Sequence, residues 1–193
     1  MHEVITDAPP VIAPNPIRLW IRTNFLEPTL WRLPKTDKVL DLCCGFGFYL
    51  SINPRARAVD GDPACVEHLQ RKGYSVVQCD ILKRLPYNDG EFEYVIAHDV
   101  CEHFTFEQLQ KIFAEVRRIL QPGGHFIVIV PHRKGYDFGL ATGAGHQLFV
   151  TAAEIERLRQ GLFELSANYP EPLPRWIGRF FTHNKETFDL VRI

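Results

Sequence analysis

Residues 39–50 read VLDLCCGFGFYL. An almost continuous apolar run of strand length, DKVLDLCC, overlaps this stretch, and such a run is typical of a parallel strand buried on both faces of a sheet. The turn from Gly45 to Gly47 follows, and glycine lets the backbone approach a ligand where a Cβ atom would intrude. Cys43 and Cys44 lie just before the turn, which raises the alternative of thiol or metal chemistry. The stretch therefore predicts a buried strand that leads into a ligand-binding loop.

The cysteines of the whole chain bear on the thiol alternative. They number five, with no Cys-x-x-Cys pair and no His-x-x-x-His pair that would complete a zinc site. A disulfide between adjacent cysteines is strained, and a reducing compartment disfavours it. We therefore predict no metal site and reduced, mostly buried thiols that pack as small hydrophobic residues. The five are Cys43, Cys44, Cys65, Cys79 and Cys101.

Length and composition are typical of one globular domain covering residues 1–193. Hydrophobic residues make up 46% of the chain and charged residues 23%, and the formal net charge is −1. A nearly neutral chain has no overall field that attracts nucleic acid or an anionic membrane. Residues 1–10 lack a basic segment followed by an apolar one, and no apolar run approaches the roughly 20 residues of a membrane span. We expect a cytoplasmic protein, and the sequence leaves its oligomeric state open.

The chain alternates between strand and helix patterns. After residues 1–36, predicted as a helical cap segment, strands are predicted within DKVLDLCC, ARAVDGDP, YSVVQCD, FEYVIAHD and HFIVIVP, with two more in the tail near LFELSANY and KETFDLVRI. N-cap residues or capping boxes mark helix starts at Asp62, Thr105 and Thr151. Alternation of this kind predicts a three-layer α/β fold, a mostly parallel sheet with helices on both faces.

Polar residues follow the predicted strands at the edge where such sheets bind ligands. Asp60 ends the second strand, where a carboxylate can accept hydrogen bonds from both hydroxyls of a ribose. Asp80 and Ile81 follow the third strand, and an acid with an apolar neighbour suits an adenine ring and its amino group. His98 and Asp99 follow the fourth strand. The three strand ends together predict a nucleoside ligand.

The glycine turn and these strand ends resemble those of a known family, the class I S-adenosylmethionine-dependent methyltransferases of the small, single-domain, type 11-like kind. VLDLCCGFG resembles the family's first motif, AVDGDP the second, CDILKRLPYNDGEFEYVIAHDVCEHF the third and fourth, and AEVRRILQPGGHFIVIVP the region of the fifth strand. The resemblance runs from about residue 37 to residue 131 in the right order. It implies a Rossmann-like sheet of seven strands, the last of them antiparallel, and transfer of a methyl group from S-adenosyl-L-methionine to leave S-adenosyl-L-homocysteine.

The resemblance also implies a set of cofactor-binding residues at these strand ends. Cys43 stands where family members usually carry glycine, so we interpret the cysteine pair as small residues that line the turn. Asp41 has a second interpretation, in which it holds the loop by accepting backbone N–H bonds. The implied set is Asp41, Cys43, Cys44, Gly45, Gly47, Asp60, Gly61, Asp80, Ile81, His98 and Asp99.

Two other classes of protein remain as alternatives. A nicotinamide-dependent oxidoreductase shares the Gly-x-Gly turn, but Leu50 replaces its third glycine and Asp60 comes sooner than the roughly 20 residues expected. A non-catalytic module that binds S-adenosylmethionine or a partner protein would retain the same acids. The ordered motifs favour the enzyme.

The methyl acceptor is predicted to be a small molecule rather than nucleic acid, because no basic stripe is present. In the resembled family the N-terminal segment and the loops after the fourth and fifth strands build the acceptor pocket. Aromatic and basic residues in these regions suit an anionic or sugar-like acceptor; in the alternative, the tryptophans cover the core and the arginines are solvated. They are Arg18, Trp20, Arg22, Trp31, Arg133, Lys134, Tyr136, Arg175, Trp176 and Arg179.

Residues 131–150, PHRKGYDFGLATGAGHQLFV, are predicted to form a glycine-rich acceptor-site loop that closes over the substrate. If the acceptor needs a general base, His146 is the first candidate, and His132 and His98 follow. The alternative is a histidine that only holds the loop by a hydrogen bond. For Glu102 and His103, packing or capping is favoured over catalysis.

Overall fold

The computed structural model of the protein describes residues 32–171 and 184–193. Most of the predicted N-terminal helical segment lies outside these residues. Seven members of the predicted acceptor set also lie outside them, namely Arg18, Trp20, Arg22, Trp31, Arg175, Trp176 and Arg179.

The described residues form strands β1 (Val39–Leu42), β2 (Arg57–Asp60), β3 (Ser75–Gln78), β4 (Phe92–His98), β5 (Leu120–Pro131), β6 (Phe163–Glu171) and β7 (Lys185–Arg192). Their α-helices are α1 (Phe48–Ile52), α2 (Pro63–Arg71), α3 (Phe106–Ile119), α4 (Arg133–Ala141) and α5 (Ala152–Arg159), and a 3₁₀ turn spans Cys101–His103.

The strands form one sheet in the order β3-β2-β1-β4-β5-β7-β6. Neighbours from β3 to β5 are parallel, whereas β7 runs antiparallel to both β5 and β6. The predicted seven-stranded sheet with an antiparallel last strand is confirmed. Strand order reverses between β1 and β4, so the carboxyl ends of these two strands open the crevice in which such sheets bind ligands.

The central strands are buried on both faces, as the apolar run at β1 predicted. Alternate side chains point to opposite faces of a strand. Leu40 packs with Phe113 in one core, under α3 and α5, and Val39 packs with Leu50 and Leu69 in the other, under α1 and α2. The sheet is therefore the middle of three layers.

The predicted helix starts are confirmed by their hydrogen bonds. The Asp62 carboxylate accepts from the backbone N–H of Ala64 at 2.8 Å and caps α2. Thr105 and Thr151 each form the predicted capping box, at α3 and α5. These bonds satisfy backbone N–H groups that the first turn of a helix leaves without partners.

The prediction of a loop throughout residues 131–150 is wrong in its first half. Arg133–Ala141 is helical, and irregular chain follows it. Gly135 and Gly139 lie one turn apart on the buried face of this helix. A Cβ atom at Gly139 would lie 2.0 Å from Cε1 of His146. Glycine therefore permits close packing here, and that packing outweighs the low helix propensity of glycine.

Gly47, in the loop after β1, packs closely against helix α2. Its φ is +78°, and a Cβ atom there would lie 2.4 Å from Cδ2 of the buried Leu69. We expect Gly47→Ala to lower the free energy of unfolding by about 2–4 kcal/mol, because left-handed backbone strain and overpacking add. Urea denaturation measures the loss.

Gly73→Ala is the matched control. Its φ is +84°, but nothing lies within 4 Å of a Cβ atom built there, so only the backbone strain of about 1–2 kcal/mol applies. Equal losses in the two variants would contradict a packing role for Gly47.

Candidate functional site

The loop after β1 has an unusual backbone. Cys43, Gly45 and Gly47 all have positive φ, at 55°, 51° and 78°. Positive φ is strained for residues other than glycine, which explains why the resembled family favours glycine at the Cys43 position. Nothing lies within 4 Å of a Cβ atom built on Gly45, so this side of the loop is open.

Asp60, at the end of β2, holds this loop. Its Oδ2 accepts a hydrogen bond from the Gly45 N–H at 2.7 Å, and its Oδ1 accepts from the Asp62 N–H at 2.9 Å. Each carboxylate oxygen can accept a further bond, so a ribose hydroxyl can still bind. Gly61 follows directly, and a Cβ atom there would lie 3.8 Å from the Cys79 carbonyl oxygen. The sequence predicted a ligand role for Asp60 and missed its role in the loop.

Asp41 lies beneath the loop with 3% of its surface exposed. Burial, and then the charge of Asp60, raise the pKa of its carboxyl group to about 8. Asp60 accepts the Gly45 bond, and the interpretation that Asp41 holds the loop stays a prediction. A positively charged ligand group beside Asp41 would stabilise its ionised form.

The adjacent thiols are poorly suited to covalent or metal chemistry. Burial, followed by the charges of Asp60 and Asp41, raises the pKa of both Cys43 and Cys44 well above the ordinary thiol value. A protonated thiol is a weak nucleophile and a weak metal ligand. All five cysteines are free of disulfides.

Asp80 and Ile81 form the turn after β3. Asp80 is exposed, and its Oδ1 accepts from the Leu82 N–H at 3.0 Å. Ile81 has 6% of its surface exposed and packs into the core. The turn thus exposes the Asp80 carboxylate to solvent next to the buried, apolar side chain of Ile81.

A buried cation lies at the end of β4. The Nζ of Lys185 donates to Nε2 of His98 at 2.7 Å and to Oδ2 of Asp99 at 2.5 Å. Only 7% of Lys185 is exposed, and a buried ammonium group requires such partners. Asp99 has a φ of 54°, a strained value of the kind that clusters at functional sites. Nothing in the sequence signals a role for Lys185, because only the antiparallel placement of β7 brings it to this strand end.

The three candidate bases lie in two places. His98 and His132 both face the start of β7, since Nε2 of His132 lies 3.7 Å from the Glu186 carboxylate. Nδ1 of His132 is buried without a hydrogen-bond partner among the described residues. Nδ1 of His146 lies 3.0 Å from the Tyr136 carbonyl oxygen, so Nε2 of that ring is left as an acceptor.

His146 lies beside Glu102 and His103, which the sequence analysis favoured for packing or capping. Burial, and then the charge of Asp99, raise the pKa of Glu102 to about 8. Burial and the neighbouring His146 lower the pKa of His103. One possible ligand atom from each of Glu102, His103 and His146 lies within 4.8 Å of the others. Sequence spacing gave no signal for this cluster, because tertiary folding joins distant segments.

Comparison with known proteins identifies the class. Residues 40–128 match the family model of a methyltransferase domain. The probable tRNA methyltransferase 9B of Bos taurus is 28% identical over 134 residues, which are 67% of this chain and 28% of that protein. An uncharacterized methyltransferase of Synechocystis is 37% identical over 104 residues, which are 50% of this chain and 48% of that protein. A crystal structure from Pyrococcus horikoshii has a TM-score of 0.67 at 22% identity and covers 91% of this chain and 92% of that one.

The chain therefore contains a class I S-adenosylmethionine-dependent methyltransferase domain. The predictions of this domain class, of its fold and of S-adenosylmethionine as its cofactor are confirmed. The chain spans about 28% of the length of the first relative named above. No helix among the described residues has the length and apolarity needed to cross a membrane.

Replacing Asp60 should separate cofactor binding from simple helix capping. We expect Asp60→Ala to weaken binding of S-adenosylhomocysteine by about 1.5–3 kcal/mol, because hydrogen bonds to a charged group are lost and the Gly45 loop is released. Titration calorimetry measures the affinity. Asp62→Ala, which removes the α2 cap and a contact with the Cys65 thiol, is the control. Unchanged affinity in a folded Asp60 variant would remove Asp60 from the cofactor site.

Asp41 gives a pH prediction. Because its folded pKa of about 8 lies above the usual value of 3.8, the folded state binds the proton more tightly, and its contribution to stability is lost as pH rises between these values. We expect the stability of Asp41→Asn relative to wild type to increase from pH 5 to pH 7 by up to about 1.4 kcal/mol per unit. The raised pKa of Glu102 also lowers stability as pH rises, but it does so in both proteins and therefore cancels in the difference between Asp41→Asn and wild type.

Urea denaturation at several pH values measures this difference. The exposed Asp37→Asn variant controls for general effects of charge removal. Parallel pH profiles for wild type and Asp41→Asn would show that the buried carboxyl group ionises at its ordinary pH.

Proposed function

We propose that the protein transfers a methyl group from S-adenosylmethionine to a hydroxyl or amino group of a small molecule. The observation that carries this proposal is the loop held by Asp60, with its open face at Gly45, at the switch point of a methyltransferase domain. The polar residues His98, Asp99 and Lys185 at the next strand end support an acceptor position beside it.

The surface charge supports a small acceptor over a polynucleotide. A track for a phosphodiester backbone requires a basic stripe. Many basic side chains in the described part of the chain have acidic neighbours instead, so they offer little net positive charge. These pairs are Arg57 with Glu91, Arg71 with Glu67, Arg84 with Asp89, Arg118 with Glu115, Arg133 with Asp137, and Arg159 with Glu156.

The chemistry places modest demands on the protein. The sulfonium of the cofactor is already activated, so catalysis consists mainly of holding the acceptor atom, the methyl carbon and the sulfur in line. A hydroxyl or protonated amine also requires removal of a proton. His98 is less available for this step because its Nε2 accepts a bond from Lys185. His132 and His146 stay predictions for a base.

Residues 131–150 remain our proposed acceptor segment, now with a helix at its start. The side chains of Phe138 and Leu140 on α4 are 59% and 50% exposed, which gives this segment an apolar surface. Arg133 lies over the Phe149 ring at 5.1 Å from its centroid. An apolar surface with a guanidinium group at its margin suits an acceptor that has an apolar body and a polar group.

A tRNA nucleoside is the second candidate acceptor. It is favoured by the relative from Bos taurus, whose name is probable tRNA methyltransferase 9B. A nucleoside in a tRNA loop is itself a small polar acceptor, so the same cleft could receive it. The two candidates differ in the positive surface that the rest of the tRNA needs.

Methyl-labelled cofactor distinguishes the candidates. We expect label to enter the low-molecular-mass fraction of a cell extract and not purified tRNA, and we expect salt between 50 and 200 mM to change the rate less than tenfold. Mass spectrometry of the labelled product identifies the accepting atom. Labelling of tRNA with a steep loss in salt would favour the second candidate.

A non-catalytic binding module gives a third result. Such a protein would bind S-adenosylhomocysteine and gain thermal stability from it, yet transfer no label to either fraction. That outcome would refute the proposed enzyme while leaving the cofactor site intact.

A further inference from the structure

We propose that Glu102, His103 and His146 bind one divalent transition-metal ion such as Zn²⁺, Co²⁺ or Mn²⁺. One ligand atom from each residue lies within 4.8 Å of the other two. Ligands at about 2.1 Å from one tetrahedral ion lie about 3.4 Å apart, so small side-chain rotations would close the three atoms around an ion. The three residues lie outside the loop after β1. His146 belongs to the proposed acceptor segment, and an ion bound to its Nε2 would exclude it as the general base.

The Glu102 carboxylate is the observation that points to a ligand. Only 1% of this residue is exposed, and its Oε2 has no hydrogen-bond partner among the described residues. A buried carboxylate oxygen without a partner is costly, because nothing replaces the water lost on folding. A metal ion beside this oxygen would compensate that loss.

His146 is oriented as metal-binding histidines usually are. Its Nδ1 lies 3.0 Å from the carbonyl oxygen of Tyr136, an arrangement that fixes the ring and leaves Nε2 with its lone pair. The ring also stacks on Tyr136 at 5.2 Å between centroids and fits against Gly139, where a Cβ atom would collide with it. These contacts hold the ring in place before any ion binds.

Backbone hydrogen bonds hold the two halves of the cluster together. The backbone N–H of Gln147 donates to the Glu102 carbonyl at 2.7 Å, and the N–H of Leu148 donates to the same oxygen at 3.2 Å. The side-chain Nε2 of Gln147 donates to the His103 carbonyl at 2.8 Å. Three bonds thus align the segment that carries His146 with the turn that carries Glu102 and His103.

The ligand types select the class of ion. Two imidazoles and one carboxylate suit Zn²⁺, Co²⁺, Mn²⁺ or Fe²⁺, whereas Mg²⁺ and Ca²⁺ prefer oxygen ligands throughout. Three protein ligands also leave at least one coordination position open to water or another small ligand. Thiolate ligation is not expected, since the cluster contains no cysteine.

Direct metal titration tests the proposal on the full chain. After removal of metal with a chelator, Co²⁺ should bind with a stoichiometry of one per chain, give visible absorption without a thiolate charge-transfer band, and be displaced by Zn²⁺. Mg²⁺ at millimolar concentration should not displace it. The absence of stoichiometric binding by Co²⁺, Zn²⁺ and Mn²⁺, or preferential binding of Mg²⁺, would overturn the assignment.

Variants locate the ion. Glu102→Gln, His103→Asn and His146→Asn should each weaken Co²⁺ binding at least tenfold. His68→Asn, which alters a half-buried histidine beside Phe46, should leave it unchanged. Wild-type affinity in all three ligand variants, or an equal loss in His68→Asn, would overturn the site.

Binding of S-adenosylhomocysteine, measured in parallel, distinguishes failure of the ion site from failure of the proposed function. A variant that binds this product like wild type but loses Co²⁺ is folded and supports the site. If Glu102→Gln does not fold, the half-buried His103 and His146 variants carry the test. If the wild-type protein binds Co²⁺ but does not bind S-adenosylhomocysteine, the result counts against the proposed function and not against the ion site.

Discussion

The hydrogen bond from the Gly45 N–H to the Asp60 carboxylate joins two strand ends into one ligand-binding edge. It is effective because β1 and β2 are parallel neighbours, with Leu42 opposite Val59, so their carboxyl ends stop at the same level. The loop that it holds has three residues with positive φ, and such a backbone persists only when its surroundings fix it. Gly47 supplies the second constraint through its contact with Leu69.

Buried ionisable groups gather at this same edge. Asp41 and Glu102 have raised pKa values because folding removes their carboxyl groups from water, and Lys185 needs Asp99 as a partner for the same reason. Groups of this kind lower the stability of the folded protein when no ligand binds. Their concentration at one edge is typical of a functional site.

In the segment after β5, Gly139 serves close packing and not the backbone flexibility that the sequence suggested. Four glycines suggested a flexible loop, yet Gly135 and Gly139 lie in a helix, where the missing side chain at Gly139 makes room for His146. The same contact directs Nδ1 of His146 toward Tyr136 and brings the ring beside Glu102 and His103. Close packing of a helix against a histidine thus assembles a polar cluster from segments far apart in the sequence.

The sequence by itself determined the alternation of strands and helices, the helix caps at Asp62, Thr105 and Thr151, and the domain class. These features depend on local patterns: apolar periodicity, capping residues and ordered motifs around Gly45, all of which can be read within a few residues. The acids at the strand ends were also found, since parallel strands bring successive carboxyl ends to one edge.

Only the tertiary structure decided which of these polar groups meet. It assigned the Gly45 bond to Asp60, placed Lys185 against His98 and Asp99, and joined His146 to Glu102 and His103. Each of these contacts links segments that the sheet and its helices bring together, and no local pattern encodes the distance between two such side chains. The physical reason is that burial and partner geometry, which set hydrogen bonding and pKa, exist only once the core has formed.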